Sequence, residues 1–239
     1  LDWLLNFIRN TYLPDVGEVA AAYSDYFDRG SGHSNLISFG VFEEGGGGKL
    51  LSPGYVQGGI QSQLDESTTE EITEGVTYSW YDDSTNNQTP SSGETVPQYP
   101  KGEAYSWLKA PRLGGLPFEA GPLARMQVNG DYSGGVSVMD RHAARAQETL
   151  KVAEAMNGWL DELDPAGPVF GGYDDPVSGS GIGLTEAPRG ALGHWVEIQE
   201  GKLSHYQVIT PTCWNASPRD DQQIPGPLEQ ALIGTPITD

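Results

Sequence analysis

Residues 138–163, VMDRHAARAQETLKVAEAMNGWLDEL, carry the clearest structural signal in this chain. Their apolar side chains recur at spacings of three and four, which is the pattern of an amphipathic helix. The apolar stripe consists of Met139, Ala143, Ala146, Leu150, Ala153, Met156 and Leu160. At a rise of ~1.5 Å per residue this helix is about 39 Å long, as long as a domain is wide. We therefore expect residues 138–163 to form a core helix at the centre of a helix bundle.

The sequence after this helix predicts a connector, a β-hairpin and a last short helix. Residues 165–183 are rich in glycine and proline, which is typical of a connecting segment. Residues 194–199 and 203–209 alternate apolar and polar positions on either side of Glu200-Gly201-Lys202, which is a hairpin pattern. Residues 227–233 have the composition of a short helix.

The sequence before the long helix predicts two helices and then an irregular region. Residues 1–13 are amphipathic, and Pro14 suits the first turn of a second helix that runs to about residue 27. Residues 36–42 are short, apolar and aromatic, as in a strand. We expect residues 49–135 to be an irregular, β-rich excursion without a helix, because short β-like stretches alternate there with Gly, Pro, Ser and Asn.

The composition limits the classes of partner and site. The 239 residues include 13 basic and 33 acidic side chains, giving a formal charge of −20. Such a chain repels nucleic acid and anionic lipid. The charge indicates a solvated acidic surface or, as sharper alternatives, adaptation to high salt or a docking face for a basic partner. The single cysteine, Cys213, excludes a disulfide framework and any metal site built from several thiolates of this chain.

Three histidines are candidates for metal or proton chemistry, and structural roles are the simpler interpretation. His142 stands beside Arg141 on the long helix, where an ion pair is expected. His194 and His205 fall on the two predicted hairpin strands and are candidate cross-strand neighbours. A two-histidine metal site would need further ligands, and none stands nearby in the sequence. Cys213 is expected to be a buried structural residue.

A set of motifs in a distinctive order gives the chain a family resemblance. The C-terminal stretches are EAPRGALGHW (186–195), YQVITPTCWNASPRD (206–220) and GPLEQALIGTP (226–236). The earlier stretches are YLPD (12–15), YSWY (78–81), YSWLKAPR (105–112), GPLAR (121–125) and RHAARAQET (141–149). Together they cover nearly the whole chain and resemble the large, nickel–iron-carrying subunit of [NiFe] hydrogenases, from its middle to its C-terminal portion.

The resemblance implies part of the hydrogenase large-subunit fold. That fold is α+β and mainly helical, with a central long-helix bundle, irregular β-rich excursions and a C-terminal β-hairpin. We expect a single domain at 1–239, in which residues 184–236 lie next to the active site.

The chain departs from the family at the metal ligands. The family carries its metals on two cysteine pairs, in an R-x-C-G-x-C motif near the N-terminus and a D-P-C-x-x-C motif near the C-terminus. Neither motif occurs here, and Cys213 stands where the family usually has threonine. The sequence starts after the first motif and stops at Asp239, before the second. The resemblance therefore implies that the cysteine ligands come from other segments or chains.

The resemblance assigns catalytic roles to two residues of the A-P-R-G motif. Arg189 matches the arginine whose guanidinium hangs over the open metal position, where a fixed donor fork and positive charge suit an anionic ligand. Pro188 matches the residue that fixes the backbone carrying this arginine. A general-base role, which has been proposed in the family, is demanding for Arg189 because arginine is effectively always protonated in proteins.

The resemblance also assigns cofactor and metal contacts to the segment after the hairpin. Pro211 and Thr212, with Thr210 before them, match the segment whose backbone N–H and hydroxyl groups hydrogen-bond a cyanide ligand. Val208 matches the position whose backbone carbonyl binds a nearby magnesium ion, a hard cation that prefers oxygen ligands.

The implied function is reversible oxidation of H2 to protons and electrons by an incomplete part of a large subunit. The implied cofactors are a Ni–Fe(CN)2(CO) centre shared with other segments, magnesium, and iron–sulfur clusters in a partner subunit. The implied partners are the small, iron–sulfur subunit, polypeptides that carry the missing cysteine pairs, and H2, but no nucleic acid. The resemblance implies a periplasmic or membrane-associated location, although the sequence contains no signal-peptide pattern.

Two alternatives to an enzyme remain at this stage. A hydrogenase-like chain without these cysteines could be a non-catalytic structural or coupling subunit, as is the related quinone-site subunit of respiratory complex I. That branch characteristically has lysine in the matching A-P-x-G motif, whereas this chain has Arg189. The second alternative is an inert degradation product.

Overall fold

The computed structural model describes residues 1–172 and 175–236, which form helices and several small sheets. The helices are α1 (Asp2–Phe7), α2 (Leu13–Ala22), α3 (Glu66–Glu70), α4 (Pro122–Val128), α5 (Val138–Glu162), α6 (Pro211–Asn215) and α7 (Pro227–Leu232). The strands are β1 (Leu36–Ser38), β2 (Val41–Glu44), β3 (Gly48–Leu51), β4 (Gly54–Gln57), β5 (Ile60–Ser62), β6 (Ile72–Gly75), β7 (Ala110–Leu113), β8 (Glu119–Ala120), β9 (Gly179–Ala187), β10 (Gly190–Gln199) and β11 (Lys202–Ile209).

The long helix α5 confirms the strongest prediction from the sequence. It begins at a capping box in which the Ser137 side chain accepts a hydrogen bond from the Asp140 N–H and the Asp140 side chain accepts one from the Ser137 N–H. Its buried face includes Ala144, which packs with α4, and Ala153, which packs with α1. The far end is different, because Leu160 is 56% exposed. Among the described residues, other elements therefore cover the first part of the predicted apolar stripe, whereas its end at Leu160 is exposed.

The two predicted N-terminal helices form one continuous helical segment. A π-helical turn at Ile8–Tyr12 joins α1 to α2, and a 3-10 turn at Ser24–Phe27 follows α2. Pro14 explains the wide turn, because it has no N–H to give to the carbonyl four residues earlier and its ring crowds that carbonyl. Leu5 and Ile8 carry the buried face of this segment and pack against α5.

The expectation that residues 49–135 contain no helix is wrong. The segment holds the short helix α3 and the buried helix α4. Helix α4 is buried on every face, so its sequence shows no amphipathic alternation that would mark it as a helix. The rest of the segment is irregular and β-rich, as expected. The predicted strand at 36–42 is divided into β1 and β2, because Gly40 has a φ of +74° and lies tightly against Pro53.

The predicted hairpin is confirmed and is larger than expected. Strands β10 and β11 pair antiparallel, and β9 adds to the other edge of β10. The end of the predicted 165–183 connector is therefore strand β9; positions 173 and 174 of that connector lie outside the described residues. The register places His194 opposite Val208 and His205 opposite Glu197, so the two histidines are not cross-strand neighbours.

The remaining strands form one four-stranded sheet and two hairpin-like pairs. The larger sheet has the order β5-β4-β1-β8, with β1 and β8 parallel, and the pairs are β2-β3 and β6-β7. A core of large side chains joins the four-stranded sheet and the β6-β7 pair to β10, β11 and α6, with Trp195 and Trp214 fully buried at its centre. The last predicted helix is confirmed as α7. Among the described residues, no helix combines the length and apolar character that a membrane crossing requires.

Candidate functional site

Pro188 and Arg189 form the two-residue turn between β9 and β10. The last pair of the ladder joins Ala187 to Gly190, so the turn is tight. Gly190 has a φ of +138°, and a Cβ there would lie 2.8 Å from backbone atoms of Ala120 and Gly121. Only glycine fits at this short distance, so the turn lies directly against β8.

Asn215 at the end of α6 stabilises the same junction, which is the contact between the Pro188–Arg189 turn and β8. Its side-chain amide accepts a hydrogen bond from the Ala120 N–H (2.8 Å) and donates one to the Ala120 carbonyl (2.9 Å). The same Nδ2 lies 3.5 Å from the Arg189 carbonyl oxygen. The motifs around residues 120, 189 and 215 are thus brought together by backbone contacts.

Buried Arg125 of α4 holds the turn from the other side. It donates to the carbonyls of Ala187 (3.2 Å) and Pro188 (3.1 Å), and to the carboxylates of Glu148 and Glu186. Glu186 also accepts a hydrogen bond from the Phe39 N–H at 2.7 Å. Burial raises the pKa of Glu186 to about 7, although the charge and hydrogen bond of Arg125 oppose the rise.

Arg189 itself projects into an open cleft of about 1060 Å³. Its side chain is exposed, and no residue of the described ranges forms a hydrogen bond or ion pair with its guanidinium. Pro188 and Asn215 also line the cleft. Among the described residues Glu119 is the one acid in the lining, and its carboxylate is occupied by Arg141 at 2.7 Å to each oxygen. The cleft therefore presents Arg189, and also Arg145, without a carboxylate partner from the described residues, in a chain of charge −20.

The segment 210–212 stands at the start of α6, next to this junction but outside the lining of the cleft. Pro211 is buried in the first turn, and Thr212 is exposed without a side-chain hydrogen bond to any described residue. The Thr210 hydroxyl lies 3.3 Å from the sulfur of Cys213, which is half-buried against the core rather than fully buried as expected. Of the sequence-predicted residues, the cleft itself brings together Pro188 and Arg189.

A buried polar cluster lies beside Val208, which is half-buried on the edge strand β11. Its neighbour Gln207 donates a hydrogen bond to Glu74, and Lys109 lies 3.6 Å from the same carboxylate oxygen. Burial raises the pKa of Glu74, while the charge of Lys109 opposes the rise. Glu74 was not predicted, because it is one of three glutamates in TEEITEG (69–75) and the sequence alone does not show which of them is buried.

A second buried arginine, Arg112 of β7, fixes the loop after α6. It forms an ion pair with Asp220 at 2.7 Å and donates to Ser217 and to the carbonyls of Pro218 and Ile224, all at 3.2 Å. Sequence reasoning quoted the motifs that contain Arg112 and Arg125 without recognising either role. Their surrounding apolar residues were the available signal, because a buried charge needs a partner.

The donor set for a metal is incomplete in this part of the chain. No group of three or more His, Cys, Asp and Glu side chains with metal-binding geometry occurs within 1–172 and 175–236. Cys213 is the sole thiol of the sequence. A nickel–iron centre held by four thiolates therefore does not fit these residues alone.

Comparison with known proteins gives one consistent result. The family model "Nickel-dependent hydrogenase" matches residues 1–239. The chain is 37% identical over 260 residues to the periplasmic [NiFeSe] hydrogenase large subunit of Desulfomicrobium baculatum, covering 98% of this chain and 50% of that protein. It is 30% identical to the hydrogenase-2 large chain of Escherichia coli K12, covering 100% of this chain and 50% of that protein.

The solved structures agree with the sequence relatives. The structure of the H2-activated D. baculatum [NiFeSe] hydrogenase matches with a TM-score of 0.91 at 37% identity, covering 98% of this chain and 53% of that one. The reduced enzyme from D. vulgaris Hildenborough matches with a TM-score of 0.90 at 35% identity, over 98% of this chain and 54% of that one. The chain spans about half the length of the relatives it matches, and its α+β fold is that of the matching part of a hydrogenase large subunit. The chain belongs to the nickel-dependent hydrogenase family.

Proposed function

We propose that this chain forms part of a hydrogenase large subunit that catalyses the reversible oxidation of H2 to protons and electrons. The observation that carries the proposal is Arg189, whose guanidinium has no partner in the described residues and lines the cleft at the A-P-R-G turn. An uncompensated guanidinium held at a rigid turn is a fixed donor for an anionic group.

In this proposal the nickel–iron centre is shared. Thiolates from polypeptide outside residues 1–239 hold it, and the centre supplies the chemistry of H2 cleavage when it is bound. Arg189 orients and stabilises negative charge beside it, and Pro188 restricts the backbone that carries Arg189. Backbone N–H and hydroxyl groups of Thr210 and Thr212 would hydrogen-bond a cyanide ligand, and Pro211, which has no N–H, would restrict the backbone between them.

The proposal extends to a magnesium ion at the carbonyl of Val208. The support is the match of residues 206–220 to the family motif, because a backbone carbonyl oxygen is a ligand type that magnesium prefers. The nearby cluster of Glu74, Lys109 and Gln207 contains a cation, and we propose no ligation by it.

The partners follow from the same family membership. The proposed partners are an iron–sulfur small subunit that receives the electrons, and the polypeptide that carries the two cysteine pairs. That polypeptide would complete a long-helix bundle around α5, whose Leu160 end lies exposed in this chain, and residues 1–239 would form one unit within it. The D. baculatum relative is named as a periplasmic enzyme, and we propose a periplasmic or membrane-associated location here.

The test of this function is Arg189→Lys in the assembled hydrogenase. Lysine keeps the charge and loses the planar donor fork, so turnover of H2 should fall about 10²-fold or more, with nickel and iron content unchanged. Arg9→Lys is the control, because Arg9 forms a surface ion pair with Glu154 outside the cleft. Near-normal turnover of Arg189→Lys would remove Arg189 from the mechanism, whereas an assembled parent protein that does not turn over H2 would favour a non-catalytic coupling role.

A further inference from the structure

Arg125 uses its entire hydrogen-bonding capacity at one place in the fold. It is 3% exposed, and a guanidinium carries five N–H groups. Nε and one Nη2 hydrogen point to the two oxygens of Glu148, and one Nη1 hydrogen points to Glu186 at 2.7 Å. The other hydrogens of Nη1 and Nη2 go to the carbonyls of Ala187 and Pro188.

These two carbonyls belong to the two residues that come directly before Arg189. The backbone at Arg189 is thus fixed by Arg125 before it and by Gly190 after it, where a Cβ would lie 2.8 Å from the β8 backbone. The Arg189 side chain, in contrast, has no partner among the described residues. The position of its guanidinium therefore depends on where the turn holds its Cα.

The composition of this cluster indicates a geometric role. One guanidinium and two carboxylates are removed from water, although an apolar cluster of similar volume is often at least as stable. The planar guanidinium, with five N–H donors, fixes the positions of the groups that it binds, which apolar packing does not.

We propose that Arg125 is a positioning residue that sets the location of the Arg189 guanidinium in the cleft. This inference rests on the proposed function, because it takes Arg189 to be the group next to the reacting centre. Lysine at position 125 has three donors on a point charge and does not reproduce the two carbonyl contacts together with the paired bonds to Glu148.

The test is a double-mutant cycle in the assembled hydrogenase. Displacement of a reacting group by about 1 Å costs up to ~10²-fold in rate, so Arg125→Lys should lower kcat roughly 10- to 100-fold with KM nearly unchanged. In the Arg189→Lys background the same substitution should lower kcat by less than about twofold, because the group that it positions is already lost. If the fold-losses in kcat of the two single variants multiplied in the double variant, the inference would be overturned.

Arg112→Lys is the matched control, since Arg112 is also a buried arginine with carboxylate and carbonyl acceptors, but in the loop after α6. Its effect on kcat should be the same in both backgrounds. If Arg125→Lys fails to fold, Glu148→Gln replaces it in the cycle, because glutamine keeps one acceptor for Arg125 and loses the charge. Glu148→Gln should likewise lower kcat in the parent background and by less than about twofold in the Arg189→Lys background.

Hydrogen–deuterium exchange provides a readout that does not depend on activity. Arg125→Lys should speed amide exchange at residues 189–191, and Arg112→Lys should speed it at residues 219–224 instead. Unchanged exchange at 189–191 would overturn the inference. Normal turnover of Arg189→Lys alone would remove Arg189 from the proposed mechanism, and an assembled parent protein without H2 turnover would overturn the proposed function. In either case the exchange pattern would still report whether Arg125 holds the turn.

Discussion

Two backbone segments close to the candidate site are each held by a buried arginine, and the two arrangements differ in charge. The loop 217–224 is held by Arg112, whose one positive charge meets the one negative charge of Asp220. The turn 187–190 is held by Arg125, whose one positive charge meets two carboxylates, Glu148 and Glu186. The first cluster is neutral, and the second carries an excess negative charge when both acids are ionised.

Burial is the main cause of the titration of the second cluster, and the excess charge is a smaller one. Burial raises the pKa of Glu186 to about 7, and the nearby Glu148 adds to the rise. A neutral Glu186 leaves Arg125 paired with Glu148 alone, so the cluster tolerates a proton near neutral pH. The comparison teaches that an arginine with two carboxylate partners stays paired when one of them is neutral, which an arginine with a single carboxylate does not. The cluster with two carboxylates is the one that holds the turn carrying Arg189.

The largest loss of stability is expected when Gly190, the glycine of the turn 187–190, is replaced. Gly190→Ala puts a Cβ at a φ of +138° and 2.8 Å from backbone atoms of β8. Strain at such a φ costs ~1–3 kcal/mol and overpacking a further ~1–3 kcal/mol, so unfolding free energy should fall by about 4 kcal/mol in urea denaturation. Gly181→Ala in β9 is the control, because nothing lies within 4 Å of a Cβ there. Equal stability of the two variants would contradict the tight junction.

Glu186→Gln tests the charge difference between the two clusters, because it removes one of the two carboxylates that Arg125 binds. Between about pH 4.5 and 7 the folded protein keeps a proton on Glu186 that the unfolded chain has released, so its unfolding free energy falls as the pH rises through this window. At ~1.4 kcal/mol per pKa unit, the fall is at most about 3 kcal/mol. Urea denaturation across this pH window should show the fall in the parent protein and a flatter profile in Glu186→Gln. Parallel profiles would mean that Glu186 does not titrate there.

The smallest effect is expected at the start of α6. Thr212→Val keeps the shape and removes a hydroxyl that has no partner among the described residues. Stability should change by less than about 0.5 kcal/mol, as at other exposed positions. In the loaded hydrogenase the cyanide stretching bands should shift and turnover should fall only a few-fold, because one hydrogen bond is worth about 1 kcal/mol. An unchanged infrared spectrum would show that Thr212 does not contact the diatomic ligands.

Elements with a strong local signal were predictable, and those defined by distant contacts were not. Helix α5 follows from its apolar period and capping residues, and the β10–β11 hairpin follows from its alternation. Helix α4 was missed because it is buried on all faces, so its sequence has no period. Strand β9 was missed because Gly179, Ser180 and Gly181 have the composition of a connector. Its strand conformation comes from pairing with β10.

For the candidate site, the sequence by itself determined the A-P-R-G turn, the family that its motifs resemble, and the absence of four thiolates in residues 1–239, since these depend on residue identity and order. Only the tertiary structure decided which groups surround Arg189. Arg125 lies 61 to 63 positions from its partners Glu186, Ala187 and Pro188, and Asn215 lies 95 positions from its partner Ala120. Contacts of such separation depend on how α4, α5 and the β9–β11 sheet pack together. Their packing, not the local sequence, leaves one arginine saturated with partners and the other open to the cleft.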